Sequence, residues 1–372
     1  MTRFTFSTPN RARGIAVEVG RGVSQSVGAV ARRVRPAARR AFVVTDTNVA
    51  PLHADEVAAR LSAAGFATAV HPIPAGEPNK TPKTLVSVVR AMVRAGLSRR
   101  DLVVAVGGGV VGDVAGLAAA LFMRGVVWIG VPTTLLAQVD ASVGGKTAVD
   151  LPEGKNLLGA FWVPDHVLVD PDRLGTLPDE AWLCGRAEMV KHGLLFDPAH
   201  LADLRGLLGS PGERDFDRLA PLIARQVELK LSCIQPDLFE SNPGRGGRAL
   251  LNLGHTVGHA IETLSGHRMQ HGRAVALGIV AAARVSERRG IAPPGFESRV
   301  RALLGDVGLP LGLDEALAAH GDRALREVLS SDKKRQDHTI PYIALRDFGR
   351  PEVLSLAPDE IVDLLRQGPP AR

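Results

Sequence analysis

Residues 102–116 read LVVAVGGGVVGDVAG. The first five are apolar with no polar alternation, the pattern of a strand buried on both faces. Gly107, Gly108 and Gly109 follow, then Gly112 and a small, apolar run that reads as helix. Gly107, Gly109 and Gly112 satisfy the spacing of a dinucleotide fingerprint, because glycine lets the backbone come close to a pyrophosphate and a helix N-terminus favours an anion. By itself this spacing is a weak signal. The strand is not the first of its unit, no acid lies about twenty residues on as the fingerprint requires, and tight strand–helix packing would account for the same glycines. Asp46, which closes the strand AFVVT at 41–45, is an acid placed to meet a ribose hydroxyl. Thr133 and Thr134, just after Pro132, offer hydroxyls at a further strand end, where ligands of such sheets sit.

Outward from this stretch, strand patterns at 3–7, 14–19, 41–45, 68–73, 126–131 and 166–170 are interleaved with helical patterns at 24–34, 53–64 and 81–95. That alternation predicts a mostly parallel sheet covered on both sides. The texture changes near Pro178, after which the chain reads as mainly helical, over about 179–195, 214–232, 251–265 and 272–289. The expected fold is an α/β N-terminal Rossmann-like domain with a mostly parallel sheet, residues 1–177, plus an all-α C-terminal domain, residues 178–372.

At 372 residues the chain is long enough for two domains, and with aromatics at only 4% its packing falls to Ala, Val, Leu and Gly. The net charge is +6, and nine arginines face one glutamate, Glu18, in the first forty residues. No basic–aromatic interleaving accompanies them, so a solvated basic face or attraction of an anionic substrate is expected and nucleic-acid binding is not. Two cysteines, Cys184 and Cys233, make neither a disulfide framework nor a thiolate metal site. MTRFTFSTPNRARG at the start lacks the apolar region of a signal peptide, and no apolar stretch would cross a bilayer, so a cytoplasmic protein without membrane contact is expected.

Chemistry concentrates in the middle of the chain. Glu188 and Lys191 share a helix face, as do His255 and His259 in LNLGHTVGHAIE, and His271 opens the next helix in QHGRAV. Two imidazoles and a carboxylate are a zinc-type catalytic set that leaves a position open, with His259 either a third imidazole ligand or a substrate contact. The spacing is not HExxH, which argues against a peptidase. Around this set are cations suited to phosphate and carboxylate: Arg124, Lys146, Lys155 beside Asn156, Lys191, Lys230, Arg248 and the pair Lys333–Lys334.

Six segments in order, GGGVVGDVAG, VPTTLLAQVDASVGGKTAVD, EGKNLLGAFWVP, GRAEMVKHG, GGRALLNLGHTVGHAIE and SDKK, resemble the 3-dehydroquinate synthase family over roughly residues 40–335. The resemblance implies a homodimer, with NAD on the first domain and one divalent metal, zinc or cobalt, held by Glu188, His255 and His271. It implies that Asp46, Asn48, Glu77, Lys80, Gly107, Gly108, Gly109, Gly112, Asp113, Thr133, Thr134, Lys146 and Lys155 serve NAD. Asp140, Lys146, Lys191, Lys230, Arg248 and Asn252 would hold the substrate, and Arg124, Lys155, Asn156, His259 and one of Lys333 and Lys334 its phosphate group.

The reaction implied is conversion of 3-deoxy-D-arabino-heptulosonate 7-phosphate to 3-dehydroquinate and phosphate, a step of the shikimate pathway toward chorismate and the aromatic amino acids. A ring hydroxyl is transiently oxidised, phosphate is eliminated, the ketone is reduced again and an intramolecular aldol step closes the ring. The alternatives are a cyclase for an amino analogue, for sedoheptulose 7-phosphate or for glucose 6-phosphate, a simple polyol dehydrogenase, and a non-catalytic paralogue. Arg248, Asn252 and His259 favour the carboxylated substrate. The chain departs from the family pattern at Arg273, where HGRAV stands for the usual HGEAV, at Asp150, where Asn is common, and in a longer loop at 241–247.

Overall fold

The computed structural model describes residues 1–8, 11–208, 214–238, 247–266, 268–330 and 338–367. By its internal contacts the chain falls into two units, Met1–Ala181 with Arg214–Leu231 and Trp182–Glu213 with Ser232–Arg372. The division after Ala181 falls near the change of texture at Pro178, and the segment Arg214–Leu231 goes with the first unit.

The first unit is built on β1 Thr2–Thr8, β2 Arg11–Val19, β3 Arg40–Asp46, β4 Ala67–Ile73, β5 Leu102–Gly107, β6 Val127–Pro132, β7 Lys146–Leu151, β8 Gly154–Phe161 and β9 His166–Val169. Seven of these form one sheet in the order β1-β2-β9-β6-β5-β3-β4. Only the β1–β2 pair is antiparallel. The helices are α1 Val27–Val34, α2 Asp55–Ala63, α3 Pro82–Arg94 and α4 Gly109–Leu121.

Alternate strand residues serve opposite faces. Ala41, Val43, Val104 and Val106 pack with Val27, Val30, Val57 and Leu61 from α1 and α2. Phe42, Val44, Val103 and Ala105 pack with Leu85, Val88 and Met92 from α3 and with Val111, Val114 and Ala118 from α4. Burial on both faces is why β5 carries no polar residue. From β3 the chain proceeds to β4 on one side and later to β5 on the other, so the order reverses between β3 and β5. Asp46 and Gly107 end those two strands, at the switch point where open α/β sheets bind ligands.

The second unit is mainly helical. α5 Asp179–Phe196 enters it, followed by α6 His200–Leu208, while α7 Phe216–Ile234 lies mostly in the first unit. α8 His255–Leu264 and α9 His271–Arg288 come next. Residues Ala274 to Ser286 of α9 are buried on every side, as in a helix at the centre of a bundle. An antiparallel hairpin, β10 Ile340–Asp347 and β11 Arg350–Leu356, adds strands that the helical reading of the C-terminal half did not include.

α8 and α9 meet backbone to backbone. A Cβ placed on Gly278 would lie 1.8 Å from the Gly254 carbonyl oxygen. One on Gly258 would lie 2.8 Å from the Ala274 oxygen, and one on Gly272 would lie 2.2 Å from the Cys184 Cα of α5. Gly254 also has φ of 77°, a left-handed conformation at the start of α8 that a side chain would strain. Gly278→Ala should therefore force the helices apart and lower stability by at least about 1–3 kcal/mol, the range for overpacking. Urea unfolding of the variant checks this. An unchanged midpoint would mean that the contact has slack.

Candidate active site

In the second unit three helices bring the sequence-expected metal set together. The ligand atoms of Glu188 on α5, His255 on α8 and His271 on α9 lie within 4.8 Å of one another. Both imidazoles turn Nε2 to the same carboxylate oxygen, at 3.6 Å from Glu188 Oε1 in each case. Their other nitrogens are held from behind. His255 Nδ1 is 3.1 Å from the Leu253 carbonyl, and His271 Nδ1 is 3.4 Å from Glu262 Oε2. A ligating histidine is oriented in this way, its second nitrogen tied to a carbonyl or carboxylate.

Glu188 is fully buried, and its Oε1 has no hydrogen-bond donor. A buried acceptor left in that state costs free energy unless a cation or donor reaches it. The residues therefore fit a divalent metal, with one oxygen and two Nε2 atoms as ligands. A second set, His259, Glu262 and His271, also converges, but there Glu262 is already engaged with His271 Nδ1 and His259 is exposed.

Charges set the protonation. Lys191, 2% exposed, forms an ion pair with Glu188 Oε2. Burial opposes ionisation of Glu188, yet Lys191 and the two imidazoles hold it well below the usual carboxylate range. Burial, and after it Lys191, hold His255 well below its ordinary value. Burial also works against His271, but the neighbouring carboxylates of Glu188 and Glu262 win and raise it to about 9. The rings of His255 and His259 are 5.1 Å apart, and those of His259 and His271 are 5.8 Å apart. Arg248 is buried and donates to the Leu238 carbonyl at 2.7 Å, and Asn252 donates to the Ala249 carbonyl at 3.1 Å. Arg273 is exposed.

In the first unit, Gly108 is the N-cap of α4, and no side chain caps it. The helix N-terminus thus keeps unsatisfied N–H groups at the end of β5. A side chain on Gly108 would press on Thr134 Cγ2 at 3.0 Å, whereas nothing lies within 4 Å of a Cβ on Gly112. A cavity here is lined by Gly107, Gly108, Gly109, Gly112, Asp113 and Lys146, among others. The Asp46 carboxylate accepts from the backbone N–H groups of Asn48 and Val49 at 2.8 and 2.9 Å, which fixes the turn after β3. Thr133 N–H bonds to the Gly107 carbonyl at 3.0 Å, and Thr134 Oγ1 accepts from Ala137 N–H. These groups fit a dinucleotide at the strand switch point.

A second polar group in this unit centres on Lys80, 4% exposed, whose Nζ is 2.6 Å from Asp113 Oδ2 and 2.5 Å from Asn156 Oδ1. Glu77 lies 3.9 Å from Lys80 and 4.0 Å from Lys155. Burial pushes Asp113 up to about 6 against the pull of Lys80. Lys230 on α7 pairs with Asp140 at 2.5 Å, so two expected substrate holders meet. Arg124 is exposed and has φ of 65°. Lys333, Lys334 and positions 241–246 lie outside the described residues.

Sequence reasoning did not assign Glu262, which braces His271. Its signal was in plain view, since Glu262 falls three residues after His259 on the same face of α8.

Solved structures with this fold include two sugar-phosphate cyclases. A 2-deoxy-scyllo-inosose synthase complexed with carbaglucose-6-phosphate, NAD+ and Co2+ matches with a TM-score of 0.86 at 27% identity, over 99% of this chain and 100% of its own. The 2-epi-5-epi-valiolone synthase ValA of Streptomyces hygroscopicus subsp. jinggangensis 5008, with NAD+ and Zn2+ bound, matches with a TM-score of 0.84 at 28% identity, over 96% of this chain and 98% of its own. In sequence, a 3-dehydroquinate synthase of Geobacter metallireducens is 42% identical over 95% of this chain and 96% of its own. Residues 70–184 match the family model for the 3-dehydroquinate synthase N-terminal part, and residues 185–335 match the one for the C-terminal part. The chain belongs to the 3-dehydroquinate synthase family.

Two outcomes follow for the metal set. With His271 raised to about 9, cation binding at pH 7 must displace its proton. Calorimetry in buffers of different ionisation heat should therefore show release of close to one proton. Apparent affinity should climb as pH rises and level off above about 9; an affinity flat from pH 6 to 9 would contradict this protonation. Glu262→Gln should weaken Co2+ binding by roughly 10–100-fold, read by equilibrium dialysis.

Proposed function

We propose that the chain converts 3-deoxy-D-arabino-heptulosonate 7-phosphate to 3-dehydroquinate and inorganic phosphate, as a carbon–oxygen lyase that depends on NAD and one divalent metal. The observation that carries this reading is the set of Glu188, His255 and His271 with Lys191 against it, in a chain of this family. When bound, NAD supplies a reversible hydride acceptor that suffers no net turnover, and zinc or cobalt polarises an oxygen at the reacting carbon.

The chain's own residues supply position and charge. Residues 1–177 would form the NAD-binding domain, with Asp46, Asn48, Glu77, Lys80, Asp113, Thr133, Thr134 and the glycine run as its contacts. Residues 178–372 would form the helical domain that binds metal and substrate. Glu188, His255 and His271 would be the ligands, with Leu253 and Glu262 fixing which nitrogen each imidazole presents. Lys191 keeps Glu188 ionised and stands ready to donate to a substrate oxygen.

Arg248 and Asn252 would grip the substrate carboxylate. A buried guanidinium suits a planar anion such as a carboxylate. Asp140, Lys146 and Lys230 would hold the remaining polar groups. Arg124, Lys155, Asn156, His259 and Lys333 or Lys334 would hold the phosphate until it leaves, which requires charge to be neutralised at the leaving oxygens. We also propose a homodimer acting in the cytoplasm.

Purified protein with NAD and Co2+ should release phosphate and 3-dehydroquinate in equal amounts from the heptulosonate phosphate, with no build-up of absorbance at the NADH band. Sedoheptulose 7-phosphate, which has no carboxylate, should be turned over far more slowly. Arg248→Ala should lower kcat/KM for the carboxylated substrate by roughly 100-fold, the cost of removing one member of a buried charge pair. Absence of both products from metal-loaded protein would overturn the reading.

A further inference from the structure

The hairpin of β7 and β8 carries an irregularity that draws in a residue with no assigned role. Val149 pairs with Leu158 and Leu151 pairs with Gly154. Asp150 alone therefore stands across from Lys155, Asn156 and Leu157, so the ladder is broken there. Asn156 lies within the break at φ of 56°, in the left-handed region. Asparagine reaches that region more easily than most residues but at a cost, so something must hold it there.

Asp150 holds it. Its Oδ1 accepts the Asn156 N–H at 2.7 Å, in place of a strand carbonyl. The Asp150 N–H in turn donates to the Lys80 carbonyl at 2.8 Å. Asn156, set in this way, directs Oδ1 to Lys80 Nζ at 2.5 Å, and the same Nζ meets Asp113 at 2.6 Å. One residue thus ties the hairpin to the Lys80 loop through its backbone and fixes a left-handed asparagine through its side chain.

We propose that Asp150 is a positioning residue for the cyclase reaction. It would set Asn156 in the conformation that serves the phosphate group and, through Asn156, fix the Lys80 ammonium beside the nucleotide. This rests on the functional reading above for the roles of Asn156 and Lys80. What the geometry requires at this place is an acceptor oxygen, so Asp150→Asn should substitute and Asp150→Ala should not.

Two readouts test it. In the protein without ligands, hydrogen exchange of peptides spanning 154–158 should quicken by roughly ten-fold in Asp150→Ala, about the worth of one hydrogen bond to a charged group, and stay near the parent rate in Asp150→Asn. In turnover, Asp150→Ala should raise KM for the heptulosonate phosphate by roughly ten-fold with a smaller change in kcat. In an Asn156→Gly background, which has no side chain left for Asp150 to position, that KM effect should shrink to within about two-fold.

If Asp150→Ala does not fold, Asp150→Val keeps a strand-forming residue without the acceptor and is read in the same way. Equal exchange in parent and variant overturns the proposal, as does a KM effect that persists undiminished in the Asn156→Gly background. Failure of the parent chain to turn over the substrate would overturn the functional reading instead, and exchange would still decide whether Asp150 holds the turn.

Discussion

The candidate metal set depends on how closely three helices approach. Two imidazoles and a carboxylate converge on one point because α8 and α9 touch through Gly254, Gly258 and Gly278, and because Gly272 lets the start of α9 press on α5 at Cys184. A methyl group at any of these places would lie within about 3 Å of backbone. Helices that pack through side chains sit roughly 8–10 Å apart, and the glycines remove that spacer. Glu188, His255 and His271 each sit near one of these contacts in sequence, so the packing that closes the bundle also sets the distances between ligand atoms.

This arrangement is poor value as a stabilising device. Glu188 and Lys191 are both almost fully buried, and a buried ion pair rarely repays its desolvation. Apolar residues of similar size would pack there at least as well. What such a pair does provide is a buried negative charge, held ionised by the Lys191 ammonium and the two imidazoles beside it. The sheet unit follows the same logic on a smaller scale, where Lys80 is enclosed by Asp113, Glu77 and Asn156.

Much of this was legible in the chain itself, for reasons that can be stated residue by residue. β5 could be read because a strand covered on both faces has no polar positions, and α4 because the three glycines 107–109 mark its junction with that strand. Helical spacing pairs Glu188 with Lys191 and His255 with His259, whereas the choice of Glu188, His255 and His271 as the ligand set followed from the family resemblance, since the three lie on different helices. The β7–β8 hairpin was hidden, since Leu157, Leu158 and Phe161 are exposed and give no inward–outward alternation. The β10–β11 hairpin was hidden as well, behind prolines at 341 and 351. Glu262 could be read as sharing a face of α8 with His259, but its contact with His271 and that of Asp150 with Asn156 depend on the fold. The four packing glycines of the helical unit look in sequence like any other glycine, because what they exclude is a neighbour's backbone.

All the atoms that would ligate or brace the cation come from the helical unit: Glu188, His255, His271, Glu262 and the Leu253 carbonyl. Among the described residues, none of this set comes from the sheet unit with its glycine run and switch point. If these residues hold the ion, its ligands and their braces call on no residue of the glycine run or the switch point.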